Sequence, residues 1–313
     1  MTRPTTERSA SRSGFHTFAL YQCCQRKFFL RYGPPRLDSP FVAPPLINGG
    51  AFHAGKAAFY RGMSAKAAVK LTRSDVASRK KDFEHREEWA EIAERAPMML
   101  DSWINEYGNA DRKHLDILAV EKAVSVPMPG RPSWRYTMRL DMVAQNKFRD
   151  LDIYESKTSS WSMKSTSIGV ENGDQVTGYW WGAEHAFKRR VNSVVPDITF
   201  WSSNTKNEER IVNYRGDLVF RTSDDIAFFS RAISQIASEI SQKMKAVYSG
   251  HDPAIFARNS YYCNAFNRPC EFAEICRKHL DAKTPTPRGY AKKRGRYRMR
   301  ELFEELDDNI AAD

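Results

Sequence analysis

The sequence predicts an α/β fold built on a mixed β-sheet. Two observations carry that expectation. Apolar residues recur at helical spacing up to about residue 110, and from about 115 the period shortens to the alternation of strands. The order is then helices, a three-strand meander, a helix, further strands and a helix, which is the pattern of an α/β chain.

Residues 15–32 (FHTFALYQCCQRKFFLRY) read as one helix with aromatic and basic faces. Pro34, Pro35, Pro44 and Pro45 punctuate a loop. Residues 47–62 open with Gly49-Gly50 and continue as a helix. Over 64–109, Phe83, Trp89, Ile92, Met99 and Trp103 keep near-helical spacing, with Pro97 as a kink or break. A helical insertion is therefore expected at about 60–110. Strands are expected at 115–127, 134–145 and 150–158, with turns at Gly130 and Asn146–Asp150. A helix over 173–190 and strands at 194–202 and 210–221 follow. The amphipathic helix 224–248 carries Ile226, Phe229, Ile233, Ile236, Ile240, Met244 and Val247 on one stripe. A cysteine segment, 263–276, precedes a basic stretch with Pro and Gly and a short acidic helical pattern. Residues 1–14 are expected as a disordered lead, 15–280 as the main domain and 281–313 as a tail.

With 313 residues, 41% of them hydrophobic, the chain can bury the core of one large domain or two modest ones. No run approaches the roughly 18 apolar residues of a membrane span, and the polar start lacks the apolar segment of a secretory signal. A cytoplasmic location without membrane contact is expected. The net charge of +11 and the pI near 9.4 draw polyanions, nucleic acid first among them. The five cysteines, Cys23, Cys24, Cys263, Cys270 and Cys276, point in a cytoplasmic chain to metal binding or catalysis rather than disulfides.

The chemistry concentrates in residues 139–160, RLDMVAQNKFRDLDIYESKTSS. Tyr136, Met138, Leu140 and Met142 share one face of their strand, so Asp141 points to the other. In the next strand Leu151 and Ile153 share a face with Glu155 and Lys157. Hydrolysis of a phosphodiester needs a cation to neutralise charge and activate water, and Mg²⁺ and Mn²⁺ prefer carboxylate oxygens. Asp141 and Glu155 on neighbouring strands supply such oxygens, and Lys157 can orient or deprotonate the water. On these residues alone the other reading is a surface Glu–Lys pair, with Asp141 satisfied in a turn.

Two flanking motifs add to this. Gly49-Gly50-Ala51-Phe52-His53 precedes the strands, and Gln175-Val176-Thr177-Gly178-Tyr179 follows them, with Gln175 and Tyr179 four apart on one helical face. In this order the chain resembles the RecB-like branch of the PD-(D/E)XK nucleases. That branch carries a Gly-x-x-x-His helix, a Gly-x-x-Asp strand, a Glu/Asp-x-Lys strand and a Gln-x-x-x-Tyr helix. Met138 stands where the family usually has Gly. The resemblance implies a restriction-endonuclease-like core, with His53, Asp141 and Glu155 on Mg²⁺ or Mn²⁺, Lys157 in catalysis, and Gln175 and Tyr179 positioning DNA.

The resemblance extends to the cysteines. Cys23-Cys24-Gln25-Arg26-Lys27-Phe28-Phe29-Leu30-Arg31-Tyr32 is similar to that family's Cys-Pro-x-Lys-Phe-x-Leu-x-Tyr helix. In the iron–sulphur members, among them the AddB nuclease domain and the CRISPR-associated RecB-like exonucleases, one N-terminal and three C-terminal cysteines hold a [4Fe–4S] cluster. The resemblance implies Cys24, Cys263, Cys270 and Cys276 as ligands here, although the first C-terminal gap is longer than usual. Four thiolates also suit a tetrahedral zinc, and either group would staple the first helix to the end of the domain. Cys23 is the odd one out.

The basic stretch Arg288–Arg300, with seven cations and two tyrosines, suits phosphate tracking or a solvated tail. Arg26, Lys27 and Arg31 are similar candidates. The expected activity is hydrolysis of DNA, exonucleolytic on single strands or ends, in recombination, repair, phage DNA processing or CRISPR spacer acquisition. A helicase, recombinase or integrase is the expected class of partner protein. The alternative is a non-catalytic DNA-binding or assembly subunit with a structural metal cluster; a zinc-stabilised basic binding protein is a third reading.

Overall fold

The computed structural model describes residues 14–34, 37–38, 43–80, 89–160, 162–203, 209–267, 269–277 and 291–292. The lead before Gly14, Phe83, the acidic terminal pattern and all of the basic stretch but Ala291 and Lys292 lie outside these residues. The chain divides into two compact units. One comprises Met1–Pro40, Ser125–Thr137 and Phe228–Asp313; the other comprises Phe41–Val124 and Met138–Ala227.

In the first unit the expected helix 15–32 is two helices, α1 (Phe15–Cys23) and α2 (Gln25–Tyr32). The break is Cys24, whose backbone is extended at φ −160°, ψ 107°. That conformation turns its thiol inward, and only 8% of the residue stays exposed. Phe28 and Phe29 stack on Phe256 at centroid distances of 6.3 and 4.9 Å. Most of the long helix α9 (Ser223–Tyr248) belongs to this unit. Its fully buried line is Phe229, Ile233, Ala237, Ile240 and Met244, while Ile226, Ile236 and Val247 of the expected stripe are only partly covered. A two-residue ladder joins β1 (Leu37–Asp38) to β7 (Ala291–Lys292). Leu30, Leu37, Phe272 and Ile275 make a small core, the last on the short helix α10 (Ala273–Arg277).

The second unit opens with α3 (Pro44–Tyr60). Pro44 and Pro45, expected as loop, are the first residues of this helix, where a missing N–H removes no helical hydrogen bond. α4 (Ala65–Ser78) is capped by Ser64, whose side chain accepts from Ala67 N at 3.3 Å. α5 (Trp89–Trp103) runs through Pro97 without ending, continues as a π-helical turn at Ile104–Gly108 and passes into α6 (Asn109–His114). α3 lies close against α4 and α5 because Gly55 has no side chain; a Cβ there would overlap Thr72 Oγ1 and Leu100 Cδ2. Phe52, Phe59, Val76, Ile92, Leu100 and Trp103 share one core with Trp201.

The sheet has five strands in the order β2 (Asp116–Met128), β3 (Arg131–Gln145), β4 (Leu151–Ser159), β5 (Val191–Ser203) and β6 (Glu209–Arg215). The tip of the β2–β3 hairpin is assigned to the first unit. Its turn places Gly130 at φ +72°, which favours glycine. β4 pairs antiparallel with β3 and parallel with β5, so the sheet is mixed as expected. A parallel pair needs a crossover, supplied by α7 (Met163–Glu171) and α8 (Asp174–Phe187). The sequence did not suggest α7: Val170 is its one fully buried residue, so it carries no apolar stripe. β6 ends at Arg215 rather than 221, and beyond it Val219 alone bridges Val194. Among the described residues no helix is long and apolar enough to cross a membrane.

Candidate active site

β3 and β4 place the two acids. Their ladder ends at Met142 opposite Tyr154; Asp141 and Glu155 are the next residues on the two strands, on the side opposite that pair, and their charges interact. The Ser156 N–H, past the end of the ladder, donates to Asp141 Oδ2 at 2.8 Å. Glu155 is 1% exposed. Its Oε1 lies 2.5 Å from Lys157 Nζ as an ion pair, and the buried Oε2 has no hydrogen-bond partner among the described residues. Buried acceptors are seldom left so. An oxygen-preferring cation is the kind of group that would satisfy them.

α3 brings His53 to Asp141, with Nδ1 3.5 Å from Oδ1. The same nitrogen is 3.4 Å from Glu121 Oε1 on β2. Atoms of His53, Glu121 and Asp141 lie within 4.8 Å of one another, close enough to share one metal ion. Glu121 was not anticipated from the sequence. Its backbone sits at φ +52°, a left-handed conformation that costs a non-glycine residue about 1–2 kcal/mol. Strain of that kind concentrates at functional sites. A lone charged residue in a strand has no spacing signature, which is why sequence reasoning missed it.

Lys157 leads away from the acids. Its Nζ donates to Gln175 Oε1 at 2.9 Å, and Gln175 Nε2 donates to Tyr179 Oη at 2.9 Å. The i, i+4 pair on α8 thus orients the lysine, and Tyr179 is itself buried. Trp180 is also buried, donating to Glu184 Oε1 at 3.1 Å, so it belongs to the core. Gly182 explains the departure at Met138. A Cβ at Gly182 would overlap Met138 Sδ, so the strand's missing glycine is matched by a glycine on the facing helix.

The charges are mutually stabilised. Burial lifts the Glu155 carboxyl; Lys157 pulls it down and Asp141 pushes it up, leaving it at about 7. Burial works against a charged His53, but Asp141 and Glu121 outweigh it and raise the imidazole to about 9. Asp141 is held below the usual carboxylate range: burial opposes this, and His53, Lys157 and the Ser156 N–H prevail. Lys157 is raised because Glu155 and Asp141 overcome its desolvation. The result, without an ion, is a group of three carboxylates beside an imidazolium and an ammonium, and a bound cation would take the place of the His53 proton. The group is suited to hold a divalent ion and to steer a nucleophile.

The cysteines meet elsewhere, within the first unit. Cys24, Cys263, Cys270 and Cys276 line one pocket with Lys27, Arg258 and Phe272, and Cys23 does not line it. All five are free thiols. Burial pushes the Cys270 thiol up. Four sulfurs in one partly enclosed pocket fit a thiolate-bound metal group. All three entry-segment cations are engaged: Lys27 and Arg31 lie 3.5 and 3.1 Å from Glu271, and Arg26 Nη1 donates to Pro253 O at 3.4 Å. Arg26 sits over the Phe29 ring at 5.5 Å.

Comparison with known proteins bears on this geometry. The family profile of the PD-(D/E)XK nuclease superfamily matches residues 15–277. Among solved structures, the chain is similar to a Eubacterium rectale protein provisionally named an exonuclease. The two are 10% identical over 92% of this chain and 96% of that one, with a TM-score of 0.45. It is also similar to a protein designated SSO0001, at 12% identity over 86% of this chain and 98% of that one, with a TM-score of 0.32. No curated protein matches it in sequence. The family match spans both units and includes the strands that carry Asp141, Glu155 and Lys157, and the chain belongs to the PD-(D/E)XK nuclease superfamily, a superfamily of metal-dependent nucleases.

Proposed function

We propose that the chain is a Mg²⁺- or Mn²⁺-dependent deoxyribonuclease that degrades DNA from single strands or ends. The observation that carries this is Asp141 and Glu155 adjoining at the end of the β3–β4 ladder, with Glu155 buried and its Oε2 without a hydrogen-bond partner among the described residues. His53, Asp141 and Glu155 would hold the cation, joined by Glu121. When bound, that ion supplies charge neutralisation at the phosphate and lowers the pKa of water. Lys157, fixed by Gln175, orients the attacking water and steadies negative charge on the phosphate. Gln175 and Tyr179 act first as the mount for Lys157, and DNA is positioned through it. The positive net charge supports a polyanionic substrate.

Cys24, Cys263, Cys270 and Cys276 would hold a [4Fe–4S] cluster. The four line one pocket, and likeness to the iron–sulphur members of the family favours iron over a tetrahedral zinc. Free thiols and a labile cluster suit a cytoplasmic chain. A helicase, recombinase or integrase would deliver the DNA ends.

The test is cleavage of end-labelled single- and double-stranded DNA by anaerobically purified protein, with Mn²⁺ and with EDTA, beside Lys157→Ala. Cutting that needs Mn²⁺ and falls by about 10²–10⁴-fold in the variant supports the reading, and the product ladder separates ends from interior. Cutting that survives the substitution, or none at all, would favour a DNA-binding subunit instead.

A further inference from the structure

His53 and Lys56 are three residues apart on α3, hence on neighbouring positions of one helical face. Lys56 is buried, its side chain 5% exposed. Its Nζ donates to Asp197 Oδ2 at 2.6 Å and to Ser156 Oγ at 2.5 Å, and lies 4.2 Å from the Trp103 ring centroid. Asp197 on β5 is paired with Ser156 in the parallel ladder, so both project to the face that Lys56 reaches. Asp197 also accepts from Trp103 Nε1 at 3.1 Å and lies 3.6 Å from Arg215 Nη2. Arg215 in turn pairs with Asp111, which accepts from Tyr60 Oη at 2.6 Å.

A buried ion pair is a weak source of stability, because desolvation offsets the attraction. Apolar side chains of similar volume would pack α3 on the sheet as well. What the pair adds is direction. Ser156 lies between Glu155 and Lys157, its N–H holds Asp141 Oδ2, and its Oγ is the other atom Lys56 grips.

We propose that Lys56 is a positioning residue: acting through Ser156, it fixes the Glu155–Lys157 segment of β4 against Asp141 and so sets the site's affinity for its cation. The proposal rests on the nuclease reading. Outer partners of this kind typically change metal affinity by about 10–100-fold.

The test uses the full chain with Ser156→Ala, Lys56→Met, the double variant and Tyr60→Phe. Mn²⁺ affinity is titrated by electron paramagnetic resonance without DNA, and kcat and KM are measured on labelled DNA. Each single change at Lys56 or Ser156 should weaken Mn²⁺ binding about tenfold and lower kcat with KM for DNA unchanged. The double variant should bind no more weakly than the Lys56 variant, because the two residues act as one unit. Tyr60→Phe, at the far end of the network, should lower Tm and leave Mn²⁺ affinity at the wild-type value. The proposal is overturned if Ser156→Ala binds Mn²⁺ like wild type, if the losses multiply in the double variant, or if Tyr60→Phe weakens binding equally. Should Lys56→Met not fold, Ser156→Ala decides alone. Wild-type protein that neither binds Mn²⁺ nor cuts overturns the nuclease reading itself; wild type that does both while the variants match it overturns only this proposal.

Discussion

The carboxylate group on the sheet and the thiol group of the first unit are built in opposite ways. Around Asp141 and Glu155 every charge has an opposite charge within reach, and ladder hydrogen bonds fix the strands that carry them. Around Cys24, Cys263, Cys270 and Cys276 the supports are a helix break, a 3₁₀ segment (Ser260–Asn267) and the five-residue α10. The sulfur contacts there are weak: Asn259 N–H to Cys24 Sγ at 3.5 Å, and Cys263 Sγ to Asn259 O at 3.9 Å. The first site is pre-organised by the ladders of its strands. The second rests on short, irregular elements.

That contrast breaks first at the cysteines. Cys270→Ser is expected to release essentially all bound iron and to lower Tm more than any other change considered, because a metal group's binding free energy, on the order of 10 kcal/mol, is folding free energy. Iron assay and a thermal melt check this; iron retained at an unchanged Tm would put the two sites on an equal footing. Packing comes next. Gly182→Ala, which drives a methyl into Met138, should cost about 1–3 kcal/mol in a urea melt. Adding Met138→Ala should restore most of it; no rescue would mean that Met138 is not what Gly182 accommodates.

Smaller effects sharpen the picture of the sheet site. Glu121→Gln should weaken Mn²⁺ about tenfold with the melt unchanged within error, and unaltered affinity would remove Glu121 from the ligand set. The mildest effect is that of pH. Glu155 sits at about 7 in the metal-free protein, above the ordinary value of roughly 4.3. Its contribution to stability is therefore fully present below the ordinary value and lost as pH rises through 7. His53, raised to about 9, behaves with the same sign at higher pH. Metal binding runs the other way, since protons compete for the same atoms. Mn²⁺ affinity should climb severalfold from pH 6 to 8, and Glu155→Gln should flatten the step near 7. A step of equal size in that variant would assign it to another group.

Much of the sheet site was legible because strand alternation is local. Leu151, Ile153, Glu155 and Lys157 had to share a face, and Gln175 and Tyr179 had to stack on one helix. Glu121 and Lys56 were not legible, because their roles depend on contacts across 68 and 100 residues of chain respectively, to His53 and Ser156. Lys56 did leave a trace, three residues after His53 on an otherwise apolar helix. Helix ends failed for chemical reasons. Two prolines read as loop because proline usually stops helices, yet at the first turn it starts one. The continuous aromatic pattern of 15–32 hid the break at Cys24, a buried residue that lines the cysteine pocket. The pairing of Met138 with Gly182 was visible only as a missing glycine.

The first unit is assembled from three stretches of chain, and the second is complete by Ala227. A ribosome therefore delivers every strand of the sheet before it delivers Cys263. At about 5–20 residues per second, Cys24 waits roughly 13–50 s for Cys276 to be synthesised. Over that interval the carboxylate site can fold and bind its ion while the thiols are still apart. The cysteine pocket can close only after that, so a chain interrupted before Cys276 has the carboxylate site without the full set of thiols.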